Sequence, residues 1–201
     1  MKIAITGSNS GIGAAVKYML LHRGDEVLDI NRDTCDLSVI PEVLTVKLDN
    51  CDVLINNAGH ELGMNKSFEE MSKDDIISQV NVNLLSPMLL TNTFVKTNKS
   101  GLIINITSGS ISELKSGITT YYTVKNGLSK FTDAVAEDLK HNFRFVEVVP
   151  RRVATNFFRT SGVEKPNTRE YVIAANEVSK VILDVIDNPY LAKVVVKDHR
   201  R

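Results

Sequence analysis

The 201-residue sequence predicts an α/β fold: a doubly wound, mostly parallel sheet with helices on both faces. Three observations carry this. Apolar, strand-like runs alternate with helix-like segments along the chain. No repeat, low-complexity stretch or linker breaks the alternation, and this length suits one domain, 1–201, with a sizeable core. The first apolar run, Ile3-Ala4-Ile5, passes through a glycine-rich turn straight into a helical pattern.

The expected strands are 2–6, 26–30, 53–56, 102–107, 144–149 and 193–196. The expected helices begin near Ile12, Ser38, Lys73, Tyr121 and Asn176. After the second strand the chain moves almost at once from Asn31-Arg32 to Cys35-Asp36-Leu37. A crossover helix and a further strand need a dozen or more residues. The sheet is therefore expected to be abbreviated around its third strand.

Lys+Arg and Asp+Glu both number 24, a balance that argues against a protein built to bind nucleic acid or an anionic membrane. No apolar run approaches the length of a membrane span, and no signal peptide is expected because the chain enters a strand at once. Cys35 and Cys51 have no metal-like spacing. They read as free thiols in a reducing cytoplasm. His22, His60, His141 and His199 suggest no triad or metal site; His60 could face a cleft, but an exposed loop position suits it better.

The turn is Thr6-Gly7-Ser8-Asn9-Ser10-Gly11-Ile12-Gly13. Strand, glycine turn and helix N-terminus together present backbone N–H groups to a pyrophosphate, as in a Rossmann-like dinucleotide site. Gly7 permits the tight turn, Gly11 admits the phosphates, and Gly13 allows close packing of the helix. The adenosine ribose is read at the end of the second strand, where an acid takes the 2′-hydroxyl and a base the 2′-phosphate. Asn31 and Arg32 stand there and favour NADP(H). Asp29, two residues earlier, keeps NAD(H) possible.

Next comes Asn56-Asn57-Ala58-Gly59. With the glycine turn, these residues make the chain resemble the short-chain dehydrogenase/reductase (SDR) family in its compact form. The turn matches the family's Thr-Gly-x-x-x-Gly-x-Gly, and Asn56–Gly59 its Asn-Asn-Ala-Gly, which lies along the cofactor. By the same resemblance Asp36 and Leu37 contact the adenine ring. Val82-Asn83-Leu84, with Thr91 beyond, fits the family's catalytic asparagine; Val80-Asn81 is a rival register. The resemblance implies that Asn83 opens a helical kink and holds a relay water, and Pro87 can add to the irregularity.

The run 103–108 is a strand ending in hydroxyls, and Tyr121-Tyr122-Thr123-Val124-Lys125 follows at a helix start. The i, i+4 spacing puts Tyr121 and Lys125 on one helix face. This is the family's Tyr-x-x-x-Lys; Tyr122 does not fit, because residue 126 is Asn. Ser108 lies thirteen residues before Tyr121, the family's usual interval. A phenol is a poor acid-base group near neutral pH unless its anion is stabilised. The resemblance assigns Tyr121 as proton donor or acceptor and Ser108 as hydrogen-bond donor to the developing oxyanion. It assigns Lys125 as the cation that favours the tyrosinate and binds the nicotinamide ribose.

Pro150-Arg151-Arg152-Val153-Ala154-Thr155 stands where the family has Pro-Gly, an aliphatic residue and a Thr that bind the nicotinamide carboxamide. Pro150, Val153 and Thr155 fit; Arg151 replaces the glycine. Either the loop takes another path with Arg151 outward, or Arg151 or Arg152 binds an anionic substrate. Residues 156–175 are expected to cover the substrate.

The implied function is NAD(P)(H)-dependent interconversion of a small-molecule carbonyl and alcohol. Helices near 73–96 and 121–140 imply a homodimer or homotetramer, because relatives pair through them. Two alternatives stay open: a non-catalytic dinucleotide-binding redox sensor, and a nucleotide-sugar reductase or epimerase.

Overall fold

A computed structural model describes residues 1–64, 66–112, 116–154 and 173–196. Six strands form one sheet: β1 (Lys2–Thr6), β2 (Glu26–Ile30), β3 (Val53–Asn56), β4 (Gly101–Ile106), β5 (Phe143–Pro150) and β8 (Lys193–Val196). Their order is β2-β1-β3-β4-β5-β8, and every pairing is parallel. β2 is an edge strand. A four-residue helix, α2 (Ile40–Val43), takes the place of a full crossover and further strand. The abbreviation expected from the short connection is therefore present.

Alternation along each strand builds two cores. Ile3 and Ile5, Val53 and Ile55, Ile104 and Ile106, and Val146 and Val148 face one side. There α1 (Gly11–Arg23) contributes Val16 and Leu20, and α6 (Ala175–Asp187) contributes Val178, Ile182 and Val185. The intervening residues Ala4, Leu54, Ile103 and Phe145 face the other side, under Val43, Leu90 and Phe94. Period-two strands with both faces apolar need helices on both faces. Cys35 and Cys51 are buried free thiols in the second core.

On that second side, helix α3 (Lys73–Val80) continues through a π turn (Asn81–Leu85) into α4 (Ser86–Thr97). The long helix α5 (Thr119–Leu139) lies beside it. A two-residue parallel ladder, β6 (Val153–Ala154) with β7 (Ile173–Ala174), ties together the flanks of residues 155–172. Thr155 and nearly all of the expected substrate-covering segment lie outside the described residues, as does His199. No helix among the described residues is long and apolar enough to cross a membrane.

Candidate active site

The strand order reverses between β1 and β3, so a crevice opens beyond their carboxyl ends. At its floor Gly7 has φ 67° and Gly11 φ 54°, conformations that L side chains resist. Gly13 needs its hydrogen for a different reason: a Cβ there would lie 2.2 Å from the Gly7 carbonyl oxygen and 2.6 Å from Asn57 Nδ2. The helix thus packs on the turn itself as well as on the strand. Ser10 at the α1 N-cap makes no side-chain capping bond, and no acid occupies the first turn. Ser8 Oγ is buried without a partner. Unspent backbone donors, a buried hydroxyl and a first helical turn without an acid suit a bound pyrophosphate. Ile12 packs against the core behind the turn.

Thr6 locks this floor to the next loop. Its hydroxyl accepts from the amides of Asn57 and Ala58, both at 2.9 Å, and Asn57 Nδ2 donates to the Thr6 carbonyl at 2.9 Å. Asn56 Nδ2 donates to Asn105 Oδ1 (2.8 Å), and Asn105 Nδ2 donates to Thr132 Oγ1 on α5 (2.8 Å). This buried chain sets β3, β4 and α5 in register.

At the outer end, Asn31 Nδ2 donates to Asn9 Oδ1, Asn9 Nδ2 donates to Asp33, and the Asp33 amide donates to Asn31 Oδ1. Asp29 is taken by Lys17 at 2.5 Å. Arg32 is exposed and depresses the pKa of nearby Asp36. Bonds from the Ser38 backbone and hydroxyl are the main cause of that low Asp36 pKa. Leu37 is built into the core, and its carbonyl accepts from Ser86 at 2.8 Å.

Ser108 and Tyr121 pair beside Lys125, and Lys125 and Asn83 meet beside Gly59. Ser108 hydrogen-bonds the Tyr121 hydroxyl and also shares a 2.8 Å bond with Ser110 Oγ. Desolvation pushes the Tyr121 pKa up to about 12, offset in part by Ser108 and reinforced by the charge of Glu61. Lys125, only 3% exposed, donates to the Ile106 carbonyl at 3.0 Å and stands 6.0 Å from the Tyr121 ring centre. Desolvation lowers its pKa to about 8.

A Cβ on Gly59 would meet Asn83 Oδ1 at 2.9 Å and Lys125 Nζ at 3.3 Å, so all three crowd one point. Asn83 is fully buried in the π turn and donates to the carbonyls of His60 (2.8 Å) and Gln79 (3.0 Å). Its rival Asn81 instead donates to the Ser38 carbonyl at 2.9 Å, away from this cluster.

Arg151 needs no glycine conformation: Asn50 is the sole described non-glycine residue with positive φ. The Arg151 amide donates to Val196 O at 3.1 Å, which continues the ladder from Pro150. Its exposed side chain lies over Gly109, where a Cβ would meet Arg151 Cγ at 2.9 Å. Val153 is partly buried against the core. His60 corrects an expectation: it is not an exposed loop residue but 8% exposed, with Nε2 3.2 Å from Ser78 Oγ. Desolvation lowers its pKa. Sequence reading also passed over Glu61, Gln79 and Thr120, which are buried beside the cluster. No spacing or motif marks them.

Residues 28–165 match the family model described as short chain dehydrogenase. An NADP-dependent 3-hydroxy acid dehydrogenase from Schizosaccharomyces pombe is 33% identical, covering 77% of this chain and 72% of its own. A benzil reductase ((S)-benzoin forming) from Bacillus cereus is 29% identical over 96% of this chain and 91% of its own. Among solved structures, a short-chain dehydrogenase from Sphingobium yanoikuyae in complex with NADPH superposes with a TM-score of 0.84 at 18% identity, covering 98% of this chain and 88% of that one. A 4-hydroxyisoleucine dehydrogenase complexed with NADH also gives 0.84, at 22% identity, covering 98% and 96%.

Proposed function

The chain belongs to the short-chain dehydrogenase family of NAD(P)-dependent oxidoreductases, and we propose that it interconverts a carbonyl and an alcohol with Tyr121 as proton donor and acceptor. The observation that carries this is the Ser108–Tyr121 hydrogen bond with Lys125 one turn along α5. The dinucleotide, when bound, supplies or accepts the hydride. The unspent α1 amides, Gly7, Ser8, Asn9, Ser10, Gly11 and Ile12 hold its pyrophosphate end. Asn57, Ala58, Gly59, Pro150 and Val153 flank it further along the crevice.

Tyr121 keeps its proton throughout the neutral range, which suits donation to a substrate oxygen in reduction. Ser108, which pairs with that hydroxyl in the free site, turns its single proton to the same substrate oxygen as charge develops. Lys125 is charged below about pH 8 and favours the tyrosinate left behind. Asn83 shapes the π turn and buttresses the wall behind Lys125.

NADP(H) is the preferred cofactor in this reading: Arg32 is exposed at the ribose end, and Lys17 already neutralises Asp29. Asp33, beside Asn9 and Asn31, is the observation that favours NAD(H). Exposed Ile77 and Met88 on the α3–α4 run support a homodimer or homotetramer. The buried thiols Cys35 and Cys51 support a cytoplasmic location.

The test is the thermal midpoint with NADPH, with NADH and with neither, followed by turnover of Tyr121→Phe. A ligand at a hundredfold excess over Kd adds about 2.7 kcal/mol, roughly 5–10 °C at this size. NADPH is expected to give the larger rise, and no rise with either dinucleotide would overturn the reading. Tyr121→Phe is expected to keep the rise and lose about 10²–10⁴-fold in turnover.

A further inference from the structure

We infer that Glu61, Gln79 and Thr120 form a receptor for a small hydrogen-bond donor, an ammonium or hydroxyl group carried by the substrate next to its reacting carbonyl. The inference rests on the oxidoreductase reading and deepens it. Glu61 is 2% exposed, Gln79 fully buried and Thr120 8% exposed. Each holds a buried oxygen without a hydrogen-bond partner: Glu61 Oε2, Gln79 Oε1 and Thr120 Oγ1. All three residues line one small cavity, with Leu62, Phe68 and Met71 among its apolar walls.

Buried polar atoms are rarely left unpaired, and three around one cavity ask for a common partner. That partner must donate. A carboxylate accepts only, and an amide oxygen accepts only. Gln79 cannot turn its amide to help, because its Nε2 is committed to the Leu62 carbonyl at 2.8 Å. The Met64 amide donates to the Glu61 carboxyl but leaves Oε2 unpaired. Lys66 borders the cavity and forms no ion pair with Glu61.

The location ties the cavity to the reaction. Thr120 directly precedes Tyr121 in the first turn of α5, and the charge of Glu61 reaches the Tyr121 hydroxyl. Gln79 accepts from Asn83 through its main-chain carbonyl. We place the α-substituent of a carbonyl held by Ser108 and Tyr121 toward Glu61, whose charge acts on the Tyr121 hydroxyl. An ammonium can donate to all three oxygens; a hydroxyl donates to one of the two acceptor oxygens and can accept from Thr120 Oγ1; a methyl leaves them unpaired, and a carboxylate meets an ionised Glu61 with like charge.

The test uses aminoacetone, hydroxyacetone, 2-butanone and pyruvate as matched ketones, with whichever dinucleotide raises the thermal midpoint. The wild type is expected to favour aminoacetone and hydroxyacetone over 2-butanone by about tenfold or more in kcat/KM, the worth of a hydrogen bond to a charged group. Glu61→Gln is expected to cut the aminoacetone preference by about tenfold, and Thr120→Val to cut it less. In parallel, calorimetry follows 1-amino-2-propanol binding to both variants and the wild type, with and without dinucleotide. Binding to wild type that weakens in Glu61→Gln supports the receptor even if none of the four ketones turns over. A dinucleotide-dependent midpoint rise with flat selectivity and no amine binding would overturn the receptor and leave the oxidoreductase reading standing. A preference for pyruvate overturns it too. Loss of the midpoint rise with either dinucleotide, with amine binding intact, breaks the function reading and not the receptor.

Discussion

The two walls of the crevice treat their polar groups in opposite ways. On the wall built by β1, β3 and β4, nearly every polar side chain has a partner inside the fold. Thr6 serves two amides, Asn57 returns a bond to Thr6, and Asn56 Nδ2, Asn105 and Thr132 pass a chain of bonds into α5, with Asn56 Oδ1 and Ser8 Oγ the exceptions. On the wall built by α3 with its π turn, α5 and the loop after Gly59, four buried oxygens have none: Glu61 Oε2, Gln79 Oε1, Asn83 Oδ1 and Thr120 Oγ1. Satisfied buried groups specify one geometry and hold it. Unsatisfied ones cost stability and are retained where a ligand completes them. The first wall is scaffold; the second is where the substrate's chemistry is read.

The comparison can be broken most severely at Asn105. Asn105→Ala strips Asn56 Nδ2 of its 2.8 Å partner and deprives Thr132 Oγ1 of its donor. Asn56 Nδ2 keeps a 3.4 Å bond to Thr91, and Thr132 still donates to the Leu128 carbonyl, so two weakened groups and a small cavity give an expected loss of roughly 2–4 kcal/mol. That lowers the midpoint by about 10 °C. A loss below about 1 kcal/mol would mean that this wall is not held by its polar relay.

Glu61→Gln is expected to do the reverse on the opposite wall. Burial raises the Glu61 pKa from 4.5 to about 7. The unfolded chain therefore ionises first as pH rises. The folded state loses stability between about pH 4.5 and 7, and the full cost stands above 7. Removing the charge should stabilise the protein by on the order of 3 kcal/mol at pH 8 and hardly at all at pH 4. Urea midpoints at the two pH values check this; an equal effect at both would show that ionisation is not the cost.

A smaller effect is expected at the crevice floor. Gly13→Ala forces a methyl group against the Gly7 carbonyl and Asn57, for about 1–3 kcal/mol and loss of the dinucleotide-dependent midpoint rise. The smallest belongs to Arg32→Ala, which should raise the KM for NADPH by about five- to tenfold, with little change for NADH. Steady-state kinetics with both dinucleotides decide it. An equal change for the two would shift the recognition to Asn31 and Asp33.

What was legible in the sequence is what local pattern encodes. Short apolar runs between helical segments dictated β1, β2, β3 and β8 to the residue, and the short step from Asn31 to Cys35 dictated the missing strand. The helical interval between Tyr121 and Lys125, and the Thr6–Gly13 turn, are properties of a few consecutive residues. Asn83 over Asn81 was favoured by motif, but the choice rests in space: one side chain turns into the π turn beside Gly59, the other reaches Ser38. Arg151 departs from the family's glycine, and a chain of letters does not say that its φ is ordinary or that Gly109 leaves room for it. Glu61, Gln79 and Thr120 lie on a loop and two separate helices. Each is an ordinary polar residue on its own, and a pKa or an unpaired oxygen arises from what surrounds a group. The sequence alone therefore determined the sheet, the dinucleotide turn and the candidate proton donor. Only tertiary packing decided which polar groups are satisfied and which await a ligand, because desolvation and hydrogen-bond pairing come from neighbours distant along the chain.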